Sequence, residues 1–320
     1  MKKILVLGAC GQIGSELVVE LRNRYGNYNV VASDLCEDAD DKITADGPFY
    51  QADVTDGERI TQIVKENNID TIYNLAALLS AVAEKKPHAA WNVGINGLYN
   101  VLEIARENGC AVFFPSSIGA FGPTTPPDHT PQDTIQRPQT MYGVTKVTGE
   151  LLSDYYHKRF GVDTRGVRYP GIISNVTLPG GGTTDYAVEI YYEAVKANSY
   201  VSPLKKGTFL DMMYMPDAVK AAIELMEADP AKLKHRNCFN ITAMSIDPET
   251  IADSIRKFSP GFELKYDPEE VKQEIADSWP NSLDDSAARK EWGWSPDFQL
   301  DDMTEDMLKA VKKKYEKNLI

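Results

Sequence analysis

A glycine-rich turn near the amino terminus constrains the fold of this 320-residue chain more than any other feature. The segment GACGQIG places Gly8, Gly11 and Gly14 three residues apart, directly after the apolar run at residues 4–7. Apolar residues then recur at helical spacing from Gln12 onward, so the glycines lie where a buried strand turns into a helix. Backbone N–H groups at such a turn can bind a phosphate. The pattern predicts a dinucleotide site, although it differs by one position from G-x-G-x-x-G, and a turn without a ligand is the alternative.

An acidic residue follows at the distance expected for a ribose ligand. Asp34 comes directly after a second apolar stretch, residues 29–33, and lies twenty residues after Gly14. A carboxylate there accepts hydrogen bonds from both ribose hydroxyls of adenosine and repels a 2′-phosphate. More acidic residues follow, and no Arg or Lys intervenes before Lys42. The sequence therefore predicts NAD rather than NADP as the cofactor, with solvated loop acids as the alternative.

The charge of the chain limits its partners. There are 34 Lys and Arg against 47 Asp and Glu, which gives a net charge of −13. This balance argues against nucleic acid or an anionic membrane as a main partner. No apolar run approaches the length that spans a membrane, and the first predicted strand begins too near Met1 to leave room for a signal peptide. We therefore expect a cytoplasmic protein, with a processed organellar form as the alternative.

The cysteines and histidines show no metal-binding pattern. The four cysteines are scattered at Cys10, Cys36, Cys110 and Cys238 without a C-x-x-C pair, and the four histidines have no ligand spacing. We therefore expect reduced thiols and no bound metal.

Strands and helices alternate through the first half of the chain. Six predicted strands separated by helices indicate a doubly wound parallel sheet of the Rossmann type. The alternation weakens after about residue 171. We therefore predict an NAD-binding domain at 1–170, to which 205–240 returns, and a smaller irregular C-terminal substrate lobe formed by 171–204 and 241–320.

A tyrosine and a lysine lie four residues apart on a predicted long helix. Tyr142 and Lys146 share one helix face, where the ammonium favours the phenolate and makes the tyrosine a usable proton acceptor. A Y-x-x-x-K pattern alone is more often solvated helix surface. Here it follows a strand that ends at Ser116 and Ser117, inside a fold whose ligands bind beyond the carboxyl ends of the strands. A serine hydroxyl there would hold the reacting oxygen of a substrate.

The sequence resembles the extended short-chain dehydrogenase/reductase family along almost its whole length. The resemblance implies that Tyr142 is the acid/base, that Lys146 contacts the nicotinamide ribose, and that Ser117, which directly precedes IGAFG, is the catalytic serine rather than Ser116. The segments that carry the resemblance are GACGQIG, ADVTD, NLAA, NGLYNVLEIA, PSSIGAFG, MYGVTK, RYPG and DDSAARKEWGWSPDF. The implied cofactor contacts are Gly8, Gly11, Gln12, Ile13, Gly14, Asp34, Asp53, Val54, Leu75, Ala76, Ala77, Asn96, Tyr142, Lys146 and Tyr169.

Within this family the sequence is most similar to the threonine 3-dehydrogenase branch. Sugar-nucleotide enzymes of the family usually have an arginine where this chain has Leu210, and an asparagine near Pro170. The segments GGGTTDYAVEIYYEA and AALLSA instead resemble the threonine branch. The resemblance implies metal-independent, NAD-dependent oxidation of L-threonine at C3. A sugar-nucleotide epimerase or dehydratase, and a non-enzymatic NAD-binding sensor, remain the alternatives.

The substrate contacts follow from the same resemblance. They are Ser80, Ser117, Tyr142, Gly182, Thr183 and Thr184. Asp185 would pair with the substrate ammonium or cap the helix that follows, and Trp279 would close the pocket or simply pack. The family also commonly forms homodimers through two long helices, here about residues 88–108 and 140–160.

Overall fold

A computed structural model of the chain describes residues 1–37, 39–177, 180 and 182–317, with the backbone alone at 41 and 42. Strands and helices alternate as far as the sixth strand. The strands are β1 Ile4–Leu7, β2 Val30–Asp34, β3 Phe49–Gln51, β4 Thr71–Asn74, β5 Ala111–Ser117, β6 Thr164–Tyr169, β7 Gly171–Ile173, β8 Ser199–Ser202, β9 Leu210–Tyr214, β10 Phe239–Asn240, β11 Met244–Ile246 and β12 Glu263–Tyr266. The helices are α1 Gln12–Tyr25, α2 Asp41–Thr44, α3 Gly57–Glu66, α4 Ser80–Lys85, α5 Pro87–Trp91, α6 Gly97–Asn108, α7 Met141–Phe160, α8 Tyr186–Ala197, α9 Met215–Glu227, α10 Pro248–Phe258, α11 Glu270–Asp277, α12 Ser286–Trp292 and α13 Leu300–Glu316.

The central sheet has seven strands in the order β10-β6-β5-β4-β1-β2-β3, and every pairing in it is parallel. The chain runs outward from β1 through β2 to β3, and then returns to the other side of β1 with β4. The order of strands therefore reverses between β1 and β4, where a doubly wound sheet opens a crevice for ligands at its carboxyl edge. The predicted Rossmann fold is confirmed. The sheet contains a seventh strand, β10, because the chain returns to pair Phe239 and Asn240 with β6.

Both faces of the sheet are covered by helices. On one face, α1 and α9 bury Leu17, Leu21 and Ala222 against the strands. On the other face, α3, α6 and α7 form a second core that includes Ile63 and Leu102. Because both faces are covered, the central strand β1 is a continuous run of buried apolar residues, Ile4–Leu7.

The long helix predicted near residue 100 is interrupted. The resemblance implies one long helix at about residues 88–108, but the structure has α5, then a π-helical segment at Asn92–Asn96, then α6. Gly109 adopts φ 70° and ends α6 in the left-handed conformation. The π-helical segment changes which residues face the sheet.

A separate hydrophobic core lies in the second half of the chain. It joins α8, α10 and α13 with a three-stranded sheet of order β11-β9-β7, and it contains Tyr191, Leu210, Ile251 and Met307. β7 follows β6 directly, so this core begins at the carboxyl edge of the central sheet. In the part of the chain that the structure describes, no helix combines the length and apolar character needed to cross a membrane.

Candidate active site

The glycine turn leaves the amino terminus of α1 open. Gly8 adopts φ +80°, and a Cβ added to Gly14 would lie 2.1 Å from the carbonyl oxygen of Gly8, so both positions require glycine. At exposed Gly11 an added Cβ would approach protein atoms no closer than 3.4 Å. No side chain caps α1 at Gly11, and its first turn carries no acid. The free N–H groups of the first turn therefore fit an anionic pyrophosphate.

Asp34 ties the end of β2 to this turn. Its Oδ2 accepts a hydrogen bond of 2.8 Å from the Cys10 N–H, and its Oδ1 accepts one of 2.7 Å from the Leu35 N–H. The carboxylate is thus oriented beside the glycine turn, as a ribose ligand requires. Cys10 and Cys36 flank it, and burial, the contact with the Cys36 thiol and the charge of Asp34 all raise the pKa of the Cys10 thiol. Cys10 is therefore a protonated thiol near neutral pH.

Tyr142 and Lys146 occupy the first turns of α7, as the sequence predicts. The Lys146 side chain is buried, and its Nζ donates a 2.7 Å hydrogen bond to the carbonyl of Pro115 on β5. The same Nζ lies 5.2 Å from the centroid of the Tyr142 ring. This places a buried ammonium beside the phenol ring.

The two adjacent serines at the end of β5 have different environments. Ser116 is buried, and its hydroxyl donates to the carboxylate of Glu150. Ser117 is only half-buried and accepts a 3.1 Å hydrogen bond from the Gly119 N–H, which leaves its hydroxyl proton available. Ser117 is therefore the serine better suited to bind a substrate oxygen.

The glycine turn and the Tyr142–Lys146 pair line one cavity of about 440 Å³ at the carboxyl edge of the sheet. This volume lies in the usual range for small-ligand sites. The cavity lies where β1 and β4 diverge, and the segment around Thr183 closes it from the other side. The predicted site residues that line it are Gly8, Gly11, Gln12, Ile13, Gly14, Leu75, Ala77, Ser80, Ser117, Tyr142, Lys146, Tyr169, Gly182, Thr183 and Thr184.

This architecture is found in a known family of enzymes. Residues 4–241 match the model of the NAD dependent epimerase/dehydratase family. The chain belongs to this family. Among characterised structures, an L-threonine dehydrogenase from Clostridium difficile is 60% identical, with a TM-score of 0.97 over 98% of each chain. A GalE-like L-threonine dehydrogenase from Cupriavidus necator, in its holo form, is 48% identical, with a TM-score of 0.94 over 97% of this chain and 100% of that one.

A curated relative gives no more specific activity. An uncharacterized epimerase/dehydratase from Staphylococcus saprophyticus is 55% identical over 314 residues, which are 98% of each chain. Membership makes this protein an enzyme of the extended short-chain dehydrogenase/reductase type with NAD as its cofactor. The open α1 terminus and the orientation of Asp34 fit that cofactor.

Some predicted residues of this epimerase/dehydratase family member lie beside the cavity rather than in its wall. Asp34 is one of them, and it contacts the cavity residue Cys10 through the hydrogen bond from the Cys10 N–H. Asp53 follows β3 and accepts hydrogen bonds of 2.8 Å from the backbone and hydroxyl of Thr55. Val54 is buried against Gly97, and the backbone of Ala76 packs against Gly8. These residues surround the carboxyl ends of β1 to β4.

The structure does not bring Asn96 to the cavity. Its side chain is exposed and donates a 2.8 Å hydrogen bond to Oδ1 of Asn92 on the same helical segment. The residue that faces α7 is Gly94, where an added Cβ would lie 3.2 Å from Thr145. The π-helical segment accounts for the difference, because an extra residue per turn rotates Asn96 away from the site.

The structure shows the surroundings of Asp185 and Trp279, for each of which the sequence left two roles open. Asp185 accepts a 2.7 Å hydrogen bond from the Gly182 N–H across the 3₁₀ turn Thr183–Asp185, but its side chain makes no capping hydrogen bond to α8. Trp279 is buried in the second core and also lines the cavity. Tyr169 lines the cavity as well, although its hydroxyl donates to the carbonyl of Ala218 at 2.8 Å. Gly181 of the GGGTT segment lies outside the described residues.

The sequence analysis missed several cavity residues. Cys10 lies within the glycine motif itself and was a recognisable candidate. Thr177 had no such signal, because its place depends on a tertiary contact: its Oγ1 lies 3.1 Å from the Ser15 hydroxyl on α1. The other cavity residues not predicted are Leu79, Pro115, Ser116, Ile118, Pro170, Gly171, Ile172 and Gly180.

Proposed function

We propose that this enzyme oxidises L-threonine at C3 to 2-amino-3-ketobutyrate, with NAD as the hydride acceptor and without a metal. The observation that carries the proposal is the cavity in which Tyr142, Lys146 and Ser117 face the same space as the open terminus of α1. The 60% identity to an L-threonine dehydrogenase supports the choice of substrate. NAD, when bound, supplies the acceptor for the C3 hydride.

In this proposal, residues of the chain accept the hydroxyl proton of the substrate and orient the substrate. Tyr142 removes the proton of the threonine hydroxyl, and Ser117 hydrogen-bonds the same oxygen. Lys146 stabilises the phenolate, and its bond to the Pro115 carbonyl fixes the ammonium. The pair thus lowers the barrier to proton loss without a Lewis acid.

The charged ends of threonine need partners on the opposite wall of the cavity. Thr183 and Thr184 begin the 3₁₀ turn that precedes α8, and Ser80 begins α4 across the cavity. We assign these hydroxyls and the backbone of Gly182 to the carboxylate and ammonium of the substrate. Asp185 orients Gly182 through its hydrogen bond, so it supports this wall whether or not it touches the ammonium.

The remaining assignments belong to the same proposal. Asp34 binds the adenosine ribose, Asp53 and Val54 flank the adenine, and Leu75 to Ala77 line the cofactor channel. Residues 1–170 and 205–240 form the NAD-binding domain, and 171–204 with 241–320 form the substrate lobe. The enzyme works in the cytoplasm as a homodimer.

The structure gives less support to two other functions. A sugar-nucleotide epimerase would need a cation near position 210 to bind a pyrophosphate, but Leu210 is fully buried in the second core. An NAD-binding sensor needs no acid/base pair, yet Tyr142 and Lys146 are both present and open to the cavity.

The test is an absorbance assay for NADH with four amino acids. L-threonine should be the preferred substrate over D-threonine, L-serine and L-allo-threonine, and added metal should give no stimulation. Binding of a UDP- or dTDP-sugar with no turnover of threonine would instead favour the epimerase. NAD binding without reduction by any alcohol would favour the sensor.

A further inference from the structure

Two cysteines that are distant in the sequence meet beside the adenosine end of the cofactor site. The side chains of Cys10, Asp34 and Cys36 form a cluster. Its two sulfurs and one carboxylate oxygen all lie within 4.8 Å of one another. All three residues are half-buried, and both thiols are free. In the described part of the chain this is the one such group of three. We refer to these three residues as the dithiol cluster.

The spacing of the dithiol cluster suits a thiophilic cation. Zn²⁺ binds thiolates at about 2.3 Å and carboxylate oxygens at about 2.0–2.2 Å, so tetrahedral ligand atoms lie about 3.5–3.8 Å apart. The three ligand atoms lie within 4.8 Å of one another, so each pair must approach by no more than about 1.3 Å to reach this separation. Two sulfurs and one oxygen also leave a fourth position for water.

The backbone already orients the ligands. The Cys10 N–H donates to Asp34 Oδ2 at 2.8 Å, and the Cys36 N–H donates to Asp34 Oδ1 at 3.3 Å. These bonds hold the carboxylate between the two cysteines. Oδ1 also accepts the 2.7 Å hydrogen bond from the Leu35 N–H, so Oδ2, which accepts one hydrogen bond, is the oxygen with a lone pair for a cation.

The dithiol cluster overlaps the NAD site through two of its members. Cys10 lines the cofactor cavity, and Asp34 is the residue placed to bind the adenosine ribose. A cation held by Asp34 would occupy the lone pairs that the ribose hydroxyls need. Metal and cofactor therefore cannot share this carboxylate.

We propose that the dithiol cluster is a binding site for a thiophilic divalent cation such as Zn²⁺ or Cd²⁺, and that the cation competes with NAD. On binding, the two thiols release their protons to solvent as the two metal–sulfur bonds form, and no oxidation occurs. The cation is an inhibitor and has no part in the reaction. This inference rests on the NAD site alone and not on the choice of threonine as substrate.

The test uses Cd²⁺ and the full chain freed of NAD. The wild-type enzyme should bind one Cd²⁺ per chain by calorimetry, with the ultraviolet charge-transfer absorbance of a cadmium thiolate. Cys36→Ser removes one sulfur and should weaken Cd²⁺ binding by at least about tenfold. The matched control is Cys110→Ser, because Cys110 is buried elsewhere with its Sγ donating to the Ile69 carbonyl. Circular dichroism checks that each variant is folded, and Cys36→Ala provides a second variant at the same position.

Competition is measured without any substrate. Free Cd²⁺ at about ten times its dissociation constant should raise the apparent dissociation constant of NAD by about tenfold. Saturating NAD should remove the thiolate absorbance. The proposal is overturned if Cys36→Ser and Cys36→Ala bind Cd²⁺ as tightly as the wild type, if Cys110→Ser loses the absorbance instead, or if NAD leaves Cd²⁺ binding unchanged.

Discussion

In the proposed mechanism, removal of the Tyr142 hydroxyl should separate chemistry from cofactor binding. Its ring packs against Gly119, where an added Cβ would lie 3.0 Å away, so phenylalanine fits the same space. Tyr142→Phe should lower kcat by about 10²–10⁴-fold, because general-base catalysis typically contributes that factor, while NAD affinity stays unchanged. NADH absorbance and a cofactor titration measure the two effects. Tyr155→Phe, on the exposed side of the same helix, is the control and should keep its rate. A Tyr142→Phe variant with most of its activity would show that another group takes the proton.

The glycines of the turn are required for two different reasons. A Cβ at Gly14 would lie 2.1 Å from a carbonyl oxygen, so Gly14→Ala must shift the backbone and should lower both the melting temperature and NAD affinity. Gly11 has room for a methyl group within the protein and lines the cavity, so under the proposal its Cβ would take space from the pyrophosphate. Gly11→Ala should therefore keep the melting temperature and lose NAD affinity. Calorimetry and cofactor titration compare the two variants, and equal losses of stability would contradict this distinction.

At the scale of elements, α7, which carries Tyr142 and Lys146, is attached to the sheet by a buried ion pair. Glu150 on α7 and Arg168 on β6 are both buried and lie 2.8 Å apart, and Ser116 also donates to Glu150. The charge of Glu150 helps raise the pKa of Arg168 against the opposing effect of burial. Glu150→Ala leaves Arg168 as a buried, unpaired cation, and should lower the free energy of unfolding by about 3–5 kcal/mol.

The control for this prediction is an exposed pair. Glu193 lies 3.3 Å from Lys196 at the surface of α8, and Glu193→Ala should cost about 0–1 kcal/mol. Urea unfolding measures both changes. Equal costs in the two variants would mean that Glu150 does not anchor α7.

The elements also show what sequence patterns can and cannot predict. Strand and helix order, the glycine turn and the Tyr142–Lys146 pair were predictable, because each follows from local spacing along one element. The orientation of Asn96 was not, since a π-helical segment leaves almost no mark in a pattern of apolar residues. The seventh strand was missed because β10 has only two residues. Cys10 and Cys36 lie close together because the turns that carry them are neighbours at the sheet edge. Their separation along the sequence gives no sign of this.

At the scale of the molecule, a buried carboxyl joins distant segments of the second core. Asp211 on β9 accepts hydrogen bonds from the Thr242 hydroxyl at 2.5 Å and the Leu283 N–H at 2.8 Å. Burial raises the pKa of Asp211 to about 7, above the value near 4 of an unfolded chain. Between these values the folded state binds more protons than the unfolded state. The stability that Asp211 contributes is therefore present at low pH and is lost as pH rises from about 4 to about 7.

Asp211→Asn should remove this dependence. The difference in unfolding free energy between wild type and variant should change by up to about 1.4 kcal/mol per pH unit in that window and stay constant above it. Urea unfolding at a series of pH values measures the difference. Glu107→Gln, at an exposed carboxylate, should leave the profile of the wild type unchanged. A constant difference across the window would show that Asp211 titrates normally.

The proposed dimer has a physical basis in one face of the molecule. Trp91, Tyr99, Leu151 and Tyr155 are 43–63% exposed along α5, α6 and α7, and the rings of Tyr99 and Tyr155 both contact Tyr156. Because exposed apolar patches are typical of interaction surfaces, we propose that a second copy of this chain covers this one. Changing Leu151 and Tyr155 together to lysine places charges at its centre, so sedimentation velocity should show a dimer for the wild type and a monomer for the double variant. Tyr28→Lys alters an aromatic residue that is 83% exposed on the separate turn after α1, and should leave the dimer intact. A double variant that still dimerises would show that the contact lies elsewhere. A monomeric wild type would show that there is no dimer.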